Sequence, residues 1–306
     1  MPISAHFAPR GLVRGLVYRF LWGCANPLQK VANGCLYFAA GLLRRDDLLK
    51  ISQLRWQQFT ASSDDADAGL EMWERRFYGE VLQPSDRVLV VGCGTGRELL
   101  ALCELGFKTT GLEPVPEAVN LARRHLAEHG ITATVVAGFI ETADPEGCYD
   151  AVIFSAGVYA YVLQSASRVA MLARLRARLS SNGRVAISYT GTRPRSRFAE
   201  WLPQISARLS QADWRPEPGD SFSRDYLGHR ILRYEHTFEP EEVARECAAA
   251  GFRIVRDEAL IPSSLHGLVA VPVAERSAPG RANIGQEALS GSEIGKDPVT
   301  HGGEQR

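Results

Sequence analysis

The chain has 306 residues, with 35 Lys and Arg against 35 Asp and Glu, a net charge of zero and 45% hydrophobic residues. A chain of this length buries enough apolar surface to fold without disulfides or metals, and its neutral balance speaks against nucleic acid as the main partner. The six cysteines, at 24, 35, 93, 103, 148 and 247, form no CxxC pair and have no histidine at metal-ligand spacing. That excludes a zinc site or a disulfide framework and fits a cytoplasmic, reducing setting.

Residues 1–50 are apolar and basic, with Arg10, Arg14, Arg19, Lys30, Arg44, Arg45 and Lys50 set among Leu, Val, Phe and Tyr. The arginines interrupt any signal-peptide core of about 7 to 15 residues, and the longest uncharged run is short of the roughly 20 residues that span a bilayer. On a helical wheel Leu12, Val13, Leu16, Val17, Phe20 and Leu21 share one half, with Arg14, Tyr18 and Arg19 at its edge or opposite. This suits peripheral membrane contact through residues 10–50, or a helix packed on the domain with its arginines outward; the packed arrangement is the expectation. Asn26, Pro27, Asn33 and Gly34 are expected to break the zone into short pieces. Residues 61–69, ASSDDADAG, read as an acidic loop before a helix carrying Met72, Trp73, Phe77 and Tyr78, so residues 1–80 make an N-terminal helical cap.

From there strands and helices alternate. Arg87–Val91 is a β-branched run, a helix spans Glu98 to Leu105, and Thr109–Leu112 is a second strand. A further helix runs from Pro116 to a C-cap at Gly130. ATVVA (133–137) and DAVIF (150–154) are the third and fourth strands, the helix around Ser167 to Leu179 follows, and RVAISY is the fifth strand. This rhythm predicts an α/β fold with an open, doubly wound, mostly parallel sheet and helices on both faces. Residues 192–230, rich in Arg, Pro, Trp and Ser, interrupt it as a candidate lid inserted in a domain spanning 81–274. A helix at 240–250 and the strands RIVRDEAL and GLVAVPV complete that domain, and residues 275–306, without an aromatic residue, are expected to be disordered.

The segment VLVVGCGTGRE sets Gly92, Gly94 and Gly96 between a buried strand and a helix. Glycines let such a loop turn tightly and bring backbone amides close to a ligand, and the helix N-terminus behind them favours a negative group. A dinucleotide site asks for a small residue at position 97, where this chain has Arg97, so the pattern is GxGxG and not GxGxxG. Glu113, 113 − 92 = 21 residues past the first glycine, ends the second strand and suits hydrogen bonds from both ribose hydroxyls of an adenosine. That acid alone serves either cofactor.

VLVVGCGTGRE, TTGLEP, YDAVIFSAGVYAYV and LSSNGRVAISY, taken in order, resemble the core of the class I S-adenosylmethionine-dependent methyltransferases over about Asp86 to Val273. FEPEEVARECAAAGFRIV resembles the helix and antiparallel strand pair that complete that family's seven-stranded sheet. The resemblance implies a methionyl end beside Gly92, Cys93, Gly94 and Gly96, a ribose on Glu113, and Ser155 beneath the methionyl group. Where many members carry an acid for the adenine, this chain has Gly138 and Phe139, so Phe139 or Ile140 is expected against the ring, with backbone near Glu141 supplying polarity. Val158 to Tyr161 match the start of the acceptor pocket and lack an NPPY-like signature, which turns the expectation toward a small-molecule or lipid-like acceptor.

Methyl transfer from a sulfonium is an in-line displacement that needs alignment more than a base. If a base serves a hydroxyl acceptor, Tyr159, Tyr161 and His229 lead the candidates, ahead of Asp225 and His236. His236, in RYEHTF, reads as a satisfied histidine, His125 and His129 as a solvated face, and Cys93 and Cys148 as small fillers. Trp73, Phe77 and Tyr78 either close over the cofactor or pin their helix to the sheet, the latter being expected. Arg193, Arg195 and Arg197 either grip an anionic substrate or solvate a loop. The competing readings are a nicotinamide-dependent oxidoreductase, against which Arg97 counts, and a non-catalytic scaffold of the same fold.

Overall fold

The computed structural model describes residues 12–62, 66–191, 197–224, 231–239, 241–261, 263 and 265–273. His229, Asp225, Arg193, Arg195 and the tail from 275 lie outside these residues.

The β-branched runs form the strands β1 (Arg87–Val91), β2 (Lys108–Glu113), β3 (Thr134–Ala137), β4 (Tyr149–Phe154) and β5 (Leu179–Thr190). All pair in parallel, and the long antiparallel strands β8 (Phe252–Leu260) and β9 (Leu265–Pro272) close the sheet in the order β3-β2-β1-β4-β5-β9-β8. Strand residues are buried on both faces. Leu89 and Val91 of β1 enter one core cluster with Val152 and Phe154, while Val88 and Val90 enter the other with Ala151 and Ile153. Helices α3 (Met72–Val81), α4 (Arg97–Glu104), α5 (Pro116–Glu128), α6 (Ser165–Arg176) and α8 (Glu242–Ala249) connect and cover these strands. The chain leaves β1 toward β2 and returns to β4 on its other side, so the loops after β1 and β4 diverge and open a crevice at their carboxyl ends.

The regions outside this alternation depart from expectation. The N-terminal zone is one helix, α1 (Leu12–Leu42), continuous through Pro27, followed by α2 (Arg45–Ser62). A proline removes one backbone hydrogen bond and clashes with the residue four positions earlier; here that residue is Gly23, and the helix runs on. The expectation that α1 packs on the domain holds for its later part, where Leu36, Tyr37 and Ala40 join the domain, whereas Val13, Leu16, Val17, Phe20 and Leu21 near its start are exposed. Residues 192–230 contribute α7 (Arg197–Leu209) and strand β6 (Asp220–Arg224), which pairs with β7 (Leu232–His236) as a separate hairpin. With Ala40 of α1 and Leu48 of α2, their buried residues Ala207, Trp214, Phe222 and Tyr234 form a third core cluster. Among the described residues no helix is long and apolar enough to cross a membrane.

Candidate functional site

The crevice holds a cavity of about 340 Å³, within the range of small-molecule sites. One wall is the turn from β1 into α4. Gly92, Gly94 and Gly96 all take positive φ, at 74°, 54° and 96°, a region that favours glycine. A Cβ on Gly92 would lie 2.4 Å from a methyl of Val158, and one on Gly96 would meet Ala122 of α5 at 3.1 Å, so these two glycines serve close approach. A Cβ on Gly94 would have nothing within 4 Å, so at this point the loop faces open space. Glu113 ends β2 beside it. Its carboxylate accepts hydrogen bonds from the amides of Gly94 and Val115, both at 3.0 Å. Burial raises this carboxyl above its ordinary range, and the two amides pull it back.

The first turn of α4 adds Glu98, which lines the cavity and had no role in the sequence reading. The Ser155 hydroxyl donates to its Oε1 at 2.6 Å, and Arg97 reaches the same oxygen at 3.3 Å. Arg97 is committed elsewhere, to both carboxylate oxygens of Glu74 at 2.6 Å and to the carbonyl of Gly69 at 2.6 Å. Burial, then the neighbouring Glu74, push Glu98 up to about 8. Burial also raises Glu74, but its Arg97 pairing prevails and leaves it below the usual carboxylate range. Two carboxyls placed around one guanidinium hold one proton between them near neutral pH.

At the other side of Glu113 the cavity is lined by Gly138, Phe139, Ile140 and Glu141. The expected apolar residues are there, and so is a carboxyl: the Glu141 side chain, raised by burial, stands two residues past Phe139. The roof is α2, whose residues Leu49, Ser52, Trp56, Phe59 and Thr60 recur at helical spacing along the cavity. Gln53 and Gln57 anchor this helix, donating to the Pro114 carbonyl at 2.7 Å and to Glu117 at 2.8 Å. The residues of 192–224 that the structure describes do not line the cavity; the roof comes from α2 instead. Trp73, Phe77 and Tyr78 are buried in the core beneath α3, so they pin that helix to the sheet.

Of the predicted site residues, Gly92, Cys93, Gly94, Glu113, Phe139, Ile140, Ser155 and Tyr161 meet in this one cavity, with Gly96 just behind the loop. The Cys93 thiol is buried over Gly111 of β2, in keeping with a filler, and burial raises it far above the range of a reactive thiolate. Tyr161 packs edge-on against Trp56, ring centres 5.2 Å apart, and burial raises its phenol. Tyr159 does not line the cavity. It is fully buried against Phe154 and Phe238 and donates to Glu246 at 2.6 Å. His236 is likewise away from the cavity, between Asp220 at 2.7 Å and Glu242 at 2.9 Å. Burial lowers this histidine, but the two carboxylate partners prevail and raise it. Arg168, fully buried, joins Glu242 and Glu246 and completes a network that ties the β6–β7 hairpin to α6 and α8. Among the described residues no group of His, Cys, Asp and Glu is placed to hold a metal ion.

Helical spacing alone makes the cavity face of α2 visible in the sequence, but nothing there says what it covers. Glu98 carries no such signal, because its neighbours Ser155 and Tyr78 come from distant elements.

The sequence model of the methyltransferase domain matches residues 88–183. The chain is 35% identical over 77 residues to the protein-L-isoaspartate O-methyltransferase of Methanoculleus marisnigri, covering 24% of this chain and 35% of that one. It is 26% identical over 181 residues to the ubiquinone biosynthesis O-methyltransferase of Methylocella silvestris, covering 59% and 63%. The chain therefore spans about a third and just under two thirds of these relatives' lengths. A methyltransferase of known structure from Methanosarcina mazei superposes with a TM-score of 0.53 at 18% identity, covering 68% of this chain and all of that one. Residues 88–183 thus match the methyltransferase-domain family, and the strand order and the shared fold agree with that match.

Proposed function

We propose that the protein transfers a methyl group from S-adenosylmethionine to a small-molecule or lipid-like acceptor, with S-adenosylhomocysteine as the other product. The observation that carries this reading is that the glycine loop and the Glu113 carboxylate open into the same cavity as an apolar wall of Leu49, Trp56, Phe59 and Tyr161. A polar nucleoside end and an apolar acceptor end thus share one space.

The cavity residues fit the cofactor. Glu113 keeps free lone pairs on both oxygens for the ribose hydroxyls, since each accepts one backbone amide. The open approach at Gly94 and the N-terminus of α4 suit the amino-acid carboxylate. Phe139 and Ile140 line the part of the cavity that would take the adenine, and Glu141 would accept from its amino group in place of the acid missing at 138 and 139. Bound S-adenosylmethionine supplies a methyl group already activated on a sulfonium. The protein's contribution is then alignment and exclusion of water by the α2 roof. A buried phenol held above its ordinary range donates a hydrogen bond at neutral pH, so Tyr161 orients the acceptor and takes no proton from it. No step here requires Tyr159 or His229. A lipid-like acceptor is supported by the apolar wall and by the relative named for ubiquinone biosynthesis. The zero net charge favours either small class over nucleic acid.

Calorimetric titration with S-adenosylhomocysteine tests the reading. Micromolar binding is expected, weakened about a hundredfold or more in Glu113→Ala by loss of two charge-assisted hydrogen bonds. Absence of binding by folded protein, or binding of NADH in its place, overturns it.

A further inference from the structure

We propose that the outer faces of α1 and α7 form a single surface that seats the protein on anionic lipid. The proposal goes beyond methyl transfer and does not depend on it.

The first observation is the pattern on α1. Val13, Val17 and Phe20, and after a gap of eight residues Leu28 and Val31, are exposed and fall on one side of the helix, with Leu16 and Leu21 beside them. Val13 and Phe20 are 72% and 70% exposed, in a helix of 31 residues, about 46 Å at 1.5 Å per residue. In a water-soluble helix of a folded domain these positions belong in the core.

The second observation is that α7 repeats the pattern. Trp201, Ile205 and Leu209, at i, i+4 and i+8, are exposed in the same way. The two helices touch directly: Gly34 lies beneath Leu202, and Gly41 lies against the Pro203 carbonyl and the Ser206 hydroxyl. Position numbers rise together along that contact, so the helices run in the same direction. Both bury their other side in the same cluster, α1 through Leu36, Tyr37 and Ala40 and α7 through Ala207. Two parallel neighbours that share a core on one side present their remaining apolar stripes on the opposite side. The result is an extended apolar surface, larger than the scattered single residues normal for a soluble protein.

Charge selects the occupant. From Met1 to Arg45 the sequence has Arg10, Arg14, Arg19, Lys30, Arg44 and Arg45 and no acidic residue at all. A second copy docking on this face would bring two such acid-free basic segments together, whereas an anionic lipid surface is attracted to them. A basic, apolar helix too interrupted by charge to span a bilayer, with a Trp beside it, is the composition of an interfacial anchor. The seat is also joined to the cavity along the chain, since α1 passes through Leu43 and Arg44 into α2, the roof.

The test is flotation of the full-length protein with vesicles of phosphatidylcholine alone or mixed with phosphatidylglycerol. Binding to the mixed vesicles is expected, falling at high salt. Phe20→Glu is expected to reduce partitioning about tenfold and Trp201→Glu severalfold, both with an unchanged circular dichroism spectrum because both sites are exposed. No binding to mixed vesicles, or equal binding to both vesicle types, overturns the proposal. So does a dimer in solution that Phe20→Glu dissociates while wild-type protein ignores vesicles, since that makes a second copy the occupant. Loss with Phe20→Glu but none with Trp201→Glu removes α7 and overturns the single-surface form.

Discussion

The glycine-loop wall of the cavity and its helical roof are held by different forces. In the wall, Gly92, Gly94 and Gly96 fix the path by backbone conformation, and Glu113 is clamped by two amides of its own neighbourhood. In the roof, α2 is held through side chains, Gln53 to the turn after β2, Gln57 to the first turn of α5, and Trp56 onto Tyr161. A wall built from backbone tolerates few substitutions and presents one geometry. A roof built from side chains lets the acceptor end vary while the cofactor end stays fixed, as when one fold serves many substrates. The β6–β7 hairpin is a third case, tied to α6 and α8 by buried charges that the cavity does not use.

Substitutions that act on one region and spare the other sharpen this contrast. Gly92→Ala carries the largest expected effect, because the added methyl collides with Val158 and the residue must keep a φ of 74°. A loss of about 3 kcal/mol in stability, with S-adenosylhomocysteine binding abolished, is expected in denaturant titration and calorimetry. His236→Ala follows, costing about 2 kcal/mol by leaving Asp220 and Glu242 short of a buried donor, with S-adenosylhomocysteine affinity unchanged. Its pH dependence has a definite sign. The histidine is raised above 6.5 in the folded state, so its contribution is complete below that value and fades as pH climbs through the raised one. The melting-temperature gap between wild type and variant therefore narrows on the alkaline side. Trp56→Ala should weaken binding of a prenylated phenol about tenfold in the presence of S-adenosylhomocysteine, with the affinity for S-adenosylhomocysteine itself moving less than about threefold. A roof variant that also destroys cofactor binding would break the contrast.

The wall was legible in the sequence because its causes are local. Glycines at set spacing, β-branched strands and an acid at the end of the second strand are each recognisable within a few residues, and the fold class follows from their order. The roof was not, because Leu49 to Thr60 show a helical period without naming what they face. Tyr159 and Tyr161 illustrate the limit: two positions apart on one short turn, one is sealed against Glu246 and the other opens to the cavity. The outward stripe of α1 failed for the opposite reason. Its amphipathic pattern was plain, but periodicity fixes an apolar face and says nothing about whether the domain or something outside it covers that face.

Glu98→Gln is the sharpest probe of the wall. Unfolded, this carboxyl ionises near 4.5; folded, it keeps its proton up to about 8, because burial and Glu74 disfavour the charge. Between these values the folded state holds more protons, so each rise in pH destabilises the wild type, whereas glutamine, shaped like the protonated acid, is indifferent. The difference in melting temperature, variant minus wild type, should grow from pH 5 to pH 8 and then level off. A difference that stays flat across this range would mean that Glu98 is already ionised, and that the wall beside Ser155 relies on a charged side chain as much as the hairpin does.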